Sequence, residues 1–479
     1  MLRRTKIVAT LGPASDTQEA LEALIKAGVD VVRMNFSHGK AEDHMARANR
    51  VRAAAKACGR TVGILADLQG PKIRISKFEH DKILLNPGDT FTLDAARKEL
   101  GNQKCVGLDY KELPNDVSVG TVLLLNDGML EFHVTAVKGS KIICKVVRGG
   151  ALSNNKGINR KGGGLTAPAL TDKDKEDIKT AALIQADYLA VSFPRSAADM
   201  NLARELMLAA GGKSMLMAKI ERAEAIPVLS EIIEASDAIM VARGDLSVEV
   251  GDAAVPGLQK RMIKMARSHN KLVITATQMM ESMITNPIPT RAEVSDVANA
   301  VLDGTDAVML SAETAVGDYP VETIQAMARI CLQAEKEIEE NDSDRRMPNS
   351  TFTRIDQSIA MASLYAASHF NVKAIVSLTQ SGSTALWMSR MNVGVPIFAL
   401  TPMESTLSKV TLFSGVHPIS FSIDSQFPSV VLRAAEDKLV SLGLVKEGDL
   451  MVMTIGESIG QAGHTNTMKI VRVGDHRKD

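Results

Sequence analysis

The chain has 479 residues, enough for about three domains or one large barrel with additions. Lys and Arg number 56, as do Asp and Glu, and the zero net charge argues against a broad nucleic-acid or anionic-membrane surface. Apolar residues at 45% and charged residues at 23% exclude wholesale disorder, and aromatics at 3% leave a core of aliphatic residues and Met. The four cysteines (Cys58, Cys105, Cys144, Cys331) lie far apart with no ligand spacing, so neither a zinc site nor a disulfide framework is expected. The basic start, Met1 to Lys6, leads into an apolar run cut by Gly12-Pro13, which is too short for a signal peptide. No stretch of apolar residues is long enough to cross a membrane.

Eight short, nearly continuous apolar runs recur: Lys6–Thr10, Val29–Asn35, Thr61–Asp67, Asp187–Ser192, Ser214–Ile220, Asp237–Ala242, Leu272–Thr277 and Asp306–Ser311. Such runs indicate parallel strands covered on both faces. Stretches with helical periodicity alternate with them, such as Asp16–Ala27 and Asp199–Ala210. Eight βα units predict a closed (β/α)8 barrel, an α/β fold. Between the third and fourth strands the spacing breaks. The stretch 71–167 has its own strand alternation (Val122–Leu125, Lys141–Val147) and turn signals (Asn86-Pro87-Gly88-Asp89, Asn126-Asp127-Gly128). It reads as an inserted all-β domain, well placed to act as a lid. A polar linker, Glu339–Asn349, precedes a C-terminal α/β domain. That domain has strands expected at Ala374–Thr379, Ile397–Thr401, Ile419–Ser422, Leu450–Ile455 and Met468–Val473, and helices at Asp356–Phe370 and Ser429–Leu442. The division is therefore 1–70 with 168–345 as barrel, 71–167 as lid and 346–479 as the third domain.

The barrel strands end in polar chemistry: Arg33-Met34-Asn35, Asp67, Ser192, Lys219-Ile220-Glu221, Arg243-Gly244-Asp245, Thr277-Gln278 and Ser311-Ala312-Glu313. Charged strand ends are often only solvated, but so many on one rim of such a barrel mark an active site. Glu221 and Asp245 follow neighbouring strands about 4.8 Å apart and so can share one divalent ion. Two carboxylates with open positions suit Mg²⁺, which keeps room for water and phosphate. Lys219 and Arg243 add positive charge, and the set suggests a phosphoryl or enolate ligand; the alternative is a pair of salt bridges between strands. Arg33, Asn35, Ser37 and His38 after the second strand, with Asp67 and Arg74 after the third, form a second anion pocket. His38 and His44 do not make a metal pair. The segment Asn154 to Gly164 is Gly-rich and basic, fit for a phosphate cradle or equally a hinge. Neither a P-loop nor a dinucleotide fingerprint is present.

These residues resemble the pyruvate kinase family, bacterial type, over nearly the whole chain. The carriers are KIVATLGPAS near the start, VVRMNFSHG at 31–39, DLQGPKIR at 67–74, LSNNKGIN at 152–159, MAKIERAEA at 217–225, MVARGDL at 240–246, ITATQMMESMI at 274–284, the stretch 289–314 and GHTNT at 463–467. The resemblance implies a barrel, an inserted β lid and a C-terminal regulatory domain. It implies phosphoryl transfer from phosphoenolpyruvate to ADP, giving pyruvate and ATP with Mg²⁺ or Mn²⁺, as the last step of glycolysis in the cytoplasm. By position it implies that Arg33 holds the substrate phosphate and Lys219 stabilises the phosphoryl transition state and enolate. Glu221 and Asp245 would bind the metal, Gly244 and Asp245 would line the substrate carboxylate pocket, and Thr277 would touch substrate. Ser311 and Glu313 resemble a proton-relay region. Asn35, Phe36, Ser37, His38, Arg74 and Lys156 match the nucleotide and phosphate pocket. A homotetramer is implied as well, with no nucleic acid or membrane as partner.

Two departures from the family carry expectations. Lys72 stands where many members have Glu, and Leu68-Gln69 where they have Thr-Lys. Those members need K⁺ near Asn35, Ser37 and Asp67, so the Lys72 ammonium is expected to make K⁺ unnecessary. Ser247 replaces a usual Gly, which would be costly if that position were left-handed. In the C-terminal domain Thr379, Gln380, Ser381, Gly382, Ser383 and Thr384 resemble a loop that binds an effector phosphate, from a sugar monophosphate or AMP; an ordinary strand-to-helix turn is the alternative. Two other functions fit parts of the pattern: a Mg²⁺-dependent pyruvate-type aldolase, which has no reason to carry the insertion, Arg74 or Lys156, and a non-catalytic effector sensor, which has none to keep Lys219, Glu221 and Asp245.

Overall fold

The computed structural model describes residues 2–341, 352–458 and 460–475; the boundary expected near 345 and most of the expected linker lie outside them. The eight barrel strands form where the apolar runs stand: Lys6–Thr10, Val31–Asn35, Gly63–Asp67, Tyr188–Val191, Met215–Ile220, Ala238–Ala242, Leu272–Ala276 and Ala307–Leu310. They close a barrel in the order first, eighth, seventh, sixth, fifth, fourth, third, second. The first strand pairs in parallel with both the second and the eighth, Ala9 standing against Val32 and Leu310. Every residue of the first, third, sixth, seventh and eighth strands is buried, as continuous apolar runs require. Helices return the chain between strands. The helix Gln18–Ala27 starts at Thr17, whose side chain accepts from Ala20 N–H, and stops at Gly28, whose φ of +126° lies outside helical geometry.

The described residues divide into two compact units. One comprises Met1–Ala66, Leu183–Tyr188 and Ile263–Asp479; the other comprises Asp67–Ala182 and Leu189–Met262. In the second unit the insertion forms a six-stranded sheet in the spatial order Ile158–Arg160, Val122–Leu125, Leu130–Lys138, Lys141–Arg148, Thr90–Asp94, Cys105–Gly107. Lys82–Leu85 and Gly150–Ser153 add a two-stranded ribbon. Phe91 and Phe132, with ring centroids 5.7 Å apart, sit in its core with Leu93, Ile142 and Cys144.

In the first unit the C-terminal segment builds a five-stranded sheet in the order Val416–Ser420, Ile397–Thr401, Val372–Leu378, Leu450–Ile455, Thr467–Arg472, the last antiparallel to its neighbour. The strand expected at 419–422 begins three residues earlier. Pro418 is accommodated because Val416–Ser420 is an edge strand, where a missing N–H breaks no ladder. Its neighbouring helices are Ile355–His369 and Pro428–Ser441. A buried bidentate ion pair, Arg390 to Asp306, joins this sheet's surroundings to the start of the eighth barrel strand. Lys6 Nζ adds a bond of 2.6 Å to the Val416 carbonyl. The cysteines are all free thiols. Among the described residues no helix is long and apolar enough to cross a membrane.

Candidate active site

Lys219 lies in the fifth strand and Glu221 follows it. The Lys219 ammonium reaches Ser192 Oγ at 2.7 Å, Glu221 Oε1 at 2.9 Å and Asp67 Oδ1 at 3.3 Å. Asp67 and Glu221 are almost wholly buried, so this one cation balances two carboxylates out of water. Glu221 Oε2 accepts the Phe193 N–H at 2.9 Å. Phe193 holds a φ of +55°, an uncommon value for a bulky residue, and that turn aims its N–H at Glu221. Burial pushes the Glu221 carboxyl up; Lys219 opposes this, and Asp245 and Asp67 add to it.

Asp245 follows the sixth strand, Ala238–Ala242, as expected. It stands in the first turn of the helix Arg243–Val250, which opens directly from that strand, where the helix dipole favours its negative charge. Lys72 Nζ lies 3.1 Å from Asp245 Oδ1. Ser247 is helical and gives its hydroxyl proton to the Gly244 carbonyl at 2.8 Å, so the concern over a left-handed glycine does not apply. Arg74 and Lys156 come together on facing chain segments: Arg74 bridges Gly157, and Ile75 N–H bonds the Lys156 carbonyl at 2.9 Å. The cradle Gly162–Gly164 exists, all three residues at positive φ, but its anion is internal. Glu224 accepts the Gly164 N–H, and a Cβ on Gly163 would meet Glu224 Oε2.

In the other unit, Arg33 Nη1 donates to Thr10 Oγ1 at 3.1 Å, and Thr10 donates to the Leu310 carbonyl at 2.8 Å. Asn35 Oδ1 accepts the Ser37 N–H at 3.0 Å. A cavity of about 750 Å³ is lined by Arg33, Asn35, His38, Ser311, Asp16 and Arg47 among others. Phe36 is buried and stacks on His44 with centroids 3.9 Å apart, so its side chain is core. Thr277 and Gln278 hold φ values of +68° and +55°. Positive φ at a β-branched residue is strained and typical of functional turns. Glu313 clamps two loops, accepting Ser311 N–H at 2.6 Å and Met280 N–H at 3.2 Å, and burial pushes its carboxyl up.

In the C-terminal sheet's loop, Gly382 takes a φ of +83° and its N–H bonds Thr379 Oγ1 at 2.9 Å. Thr384 Oγ1 lies 2.8 Å from Thr465 Oγ1, tying the loop to the 463–467 segment. Thr379, Gln380, Ser383 and Thr465 line a pocket with Phe421 and Ile455, and no basic side chain lines it among the described residues. Ser381 Oγ donates to Ser383 Oγ at 3.3 Å. The sequence reading missed Phe193, Glu224 and Glu249 as site-building residues and noted Ser192 only as a strand end. Only the fold brings their partners to them.

The family described as "Pyruvate kinase, barrel domain" matches residues 2–324, and "Pyruvate kinase, alpha/beta domain" matches residues 357–471. The chain belongs to the pyruvate kinase family. It is 55% identical to "Pyruvate kinase II" of Salmonella typhimurium over 98% of this chain and 99% of that one. It is 56% identical to the pyruvate kinase of Haemophilus influenzae over 95% of this chain and 96% of that one. Among solved structures, a pyruvate kinase from Cryptosporidium parvum superposes with a TM-score of 0.89 at 35% identity, covering 98% of this chain and 96% of that one. Pyruvate kinases are phosphotransferases that generally use Mg²⁺, and the donor set here fits such an ion. Glu221 and Asp245 offer hard carboxylate oxygens, near enough for Asp245 to raise the Glu221 carboxyl. Each already holds an ammonium, from Lys219 and Lys72, where positive charge is wanted. Among the described residues no group of three or more His, Cys, Asp or Glu could hold a metal ion.

Proposed function

We propose that this pyruvate kinase transfers the phosphoryl group of phosphoenolpyruvate to ADP at the cluster of Lys219, Glu221 and Asp245. The observation that carries the reading is the Lys219 ammonium held by two buried carboxylates and Ser192. Phosphoryl transfer asks for positioning and charge neutralisation rather than a protein nucleophile. Mg²⁺ or Mn²⁺ bound by Glu221 and Asp245 would neutralise developing charge on the phosphoryl and enolate oxygens. Lys219, held by Ser192, Asp67 and Glu221, offers its ammonium to the transferring group and then to the enolate. Gly244 and Asp245 receive the substrate carboxylate in the first helical turn. Arg33 binds the substrate phosphate, and Thr277 with Ser311 orders the water that protonates the enolate. Asn35, the backbone at Phe36, Ser37, His38, Arg74 and Lys156 hold the nucleotide phosphates. A coupled assay of ADP-dependent pyruvate release tests this: Lys219→Met is expected to lose about 10²–10³ in kcat, the weight of one preorganised transition-state contact. Activity within a few-fold of wild type would remove Lys219 from the chemistry.

Lys72 makes K⁺ dispensable in this reading. Its ammonium adds a fixed cation on Asp245, whereas Asp67 takes Lys219, so the charge acts one carboxylate away from the expected Asn35, Ser37, Asp67 and Leu68 region. The enzyme works in the cytoplasm as a homotetramer, with 71–167 as its lid and 346–479 as its regulatory domain. The loop Thr379–Thr384 takes one phosphate, of a sugar monophosphate or AMP. Hydroxyls and N–H groups without a lining cation suit a single phosphate better than two. The only tryptophan of the chain, Trp387, sits in the helix Ser383–Ser389 that starts in this loop, so its fluorescence reports occupancy. Titration with AMP or a sugar monophosphate is expected to shift that emission; no shift with either would remove the effector assignment.

A further inference from the structure

Glu249 stands in the last turn of the helix Arg243–Val250, which carries Asp245 in its first turn, and only a twentieth of its surface is exposed. Its Oε2 accepts the Ala223 N–H at 2.9 Å, two residues beyond Glu221. Its carboxylate also takes a side-chain hydrogen bond from Asn159, in the insertion's strand Ile158–Arg160. Its backbone carbonyl accepts the Gly162 N–H at 3.1 Å. One residue thus touches the segment after Glu221, the helix that carries Asp245, and the strand by which the insertion returns to the barrel. Glu224 reinforces the same point by holding Gly164, and Arg222 by reaching the Leu165 carbonyl at 3.4 Å.

We propose that Glu249 is a positioning residue: it locks the spacing of Glu221 and Asp245 and the attachment of the lid into one hydrogen-bonded unit, so that divalent-ion affinity and lid anchorage are set together. The inference rests on the reading of Glu221 and Asp245 as metal ligands. Nothing in the sequence marks Glu249, because Ala223 and Asn159 are 26 and 90 positions away. Burial pushes its carboxyl up to about 7; the Ala223 N–H, Arg222 and Asn159 draw it down, and Glu224 pushes it further up. A carboxylate kept in such surroundings without touching substrate is held for its geometry.

The test is binding of Mn²⁺ to the full chain, read by the electron spin resonance of the free ion, with hydrogen exchange of residues 159–164 as a second readout. Glu249→Ala is expected to weaken Mn²⁺ binding by about tenfold, as loss of a group behind a metal ligand does, and to speed exchange at Gly162. Glu249→Gln, whose amide oxygen still accepts the Ala223 N–H, is expected to stay close to wild type in both. If the alanine variant fails to fold, Glu249→Asp replaces it: its carboxylate, one methylene short of Ala223, is expected to weaken Mn²⁺ severalfold. Wild-type Mn²⁺ affinity in Glu249→Ala or Glu249→Asp would overturn the proposal, as would equal losses in the alanine and glutamine variants. Glu221→Gln separates the two layers. If it abolishes Mn²⁺ binding while Glu249→Ala and Glu249→Asp keep wild-type affinity, only the positioning role falls; if Glu221→Gln binds Mn²⁺ normally, the metal reading falls and the proposal with it.

Discussion

Replacing Lys219 by Met removes a cation from between two carboxylates whose side chains are 1% and 2% exposed. Breaking a buried ion pair in this way costs about 3–5 kcal/mol, because the carboxylates stay buried without that cation. The sign with pH follows from Glu221, which burial already holds above its ordinary value of 4.5 despite Lys219. Without the ammonium its folded-state value rises further. A raised carboxyl contributes stability below its unfolded value and loses it as pH rises through the folded one. The deficit of Lys219→Met is therefore expected to be largest at alkaline pH and to shrink as the medium is acidified and Glu221 takes its proton. Mg²⁺ is expected to recover part of it, by supplying the missing charge to Glu221. Thermal unfolding followed by circular dichroism, at several pH values with and without Mg²⁺, measures this. A destabilisation of equal size at acid and alkaline pH would mean that lost packing, not lost charge, is responsible, and would refute the electrostatic account.

Exchanging K⁺ for tetramethylammonium is expected to leave turnover largely intact, and Lys72→Glu is expected to make it depend on K⁺; a collapse of the wild type without K⁺ would exclude that role for Lys72. Arg390→Met leaves Asp306, wholly buried, without its bidentate partner and is expected to lower stability by about 3–5 kcal/mol, while pairing it with Asp306→Asn is expected to restore part of the loss. Additive losses in the double variant would show that the two groups do not act as a pair. Burial, with Lys6, Arg3 and Arg4 nearby, lowers His417 to about 3, and its buried Nε2 has no hydrogen-bond partner among the described residues. Stability from a depressed histidine is present above pH 6.5 and lost as pH falls toward about 3, at about 1.4 kcal/mol per pH unit. His417→Phe is expected to flatten the decline in melting temperature between neutral pH and about pH 5, and an unchanged slope would place the acid sensitivity elsewhere.

The barrel was legible because strands covered on both faces must be apolar throughout, and runs such as Lys6–Thr10 and Leu272–Ala276 are. The cluster around Lys219 was legible to the extent that chemistry follows strand ends, which puts Lys219 and Glu221 side by side. What stayed hidden depends on residues distant in sequence. Phe193 serves Glu221 only through a positive φ that no pattern announces, and Glu249 meets Asn159 only because the insertion folds back. Lys72 reads as an ammonium for the K⁺ region of Asn35, Ser37 and Asp67, but its contact with Asp245, 173 positions away, has no sequence signal. The edge strand Val416–Ser420 was misplaced because Pro418 reads as a break until the strand is known to have a free side.

Anomalous diffraction from crystals grown with Mn²⁺ and phosphoenolpyruvate tests the central claim most directly. The account predicts a single strong peak at the carboxylates of Glu221 and Asp245, with the Lys219 ammonium facing the substrate phosphate. A peak elsewhere, or one that touches neither carboxylate, would contradict it.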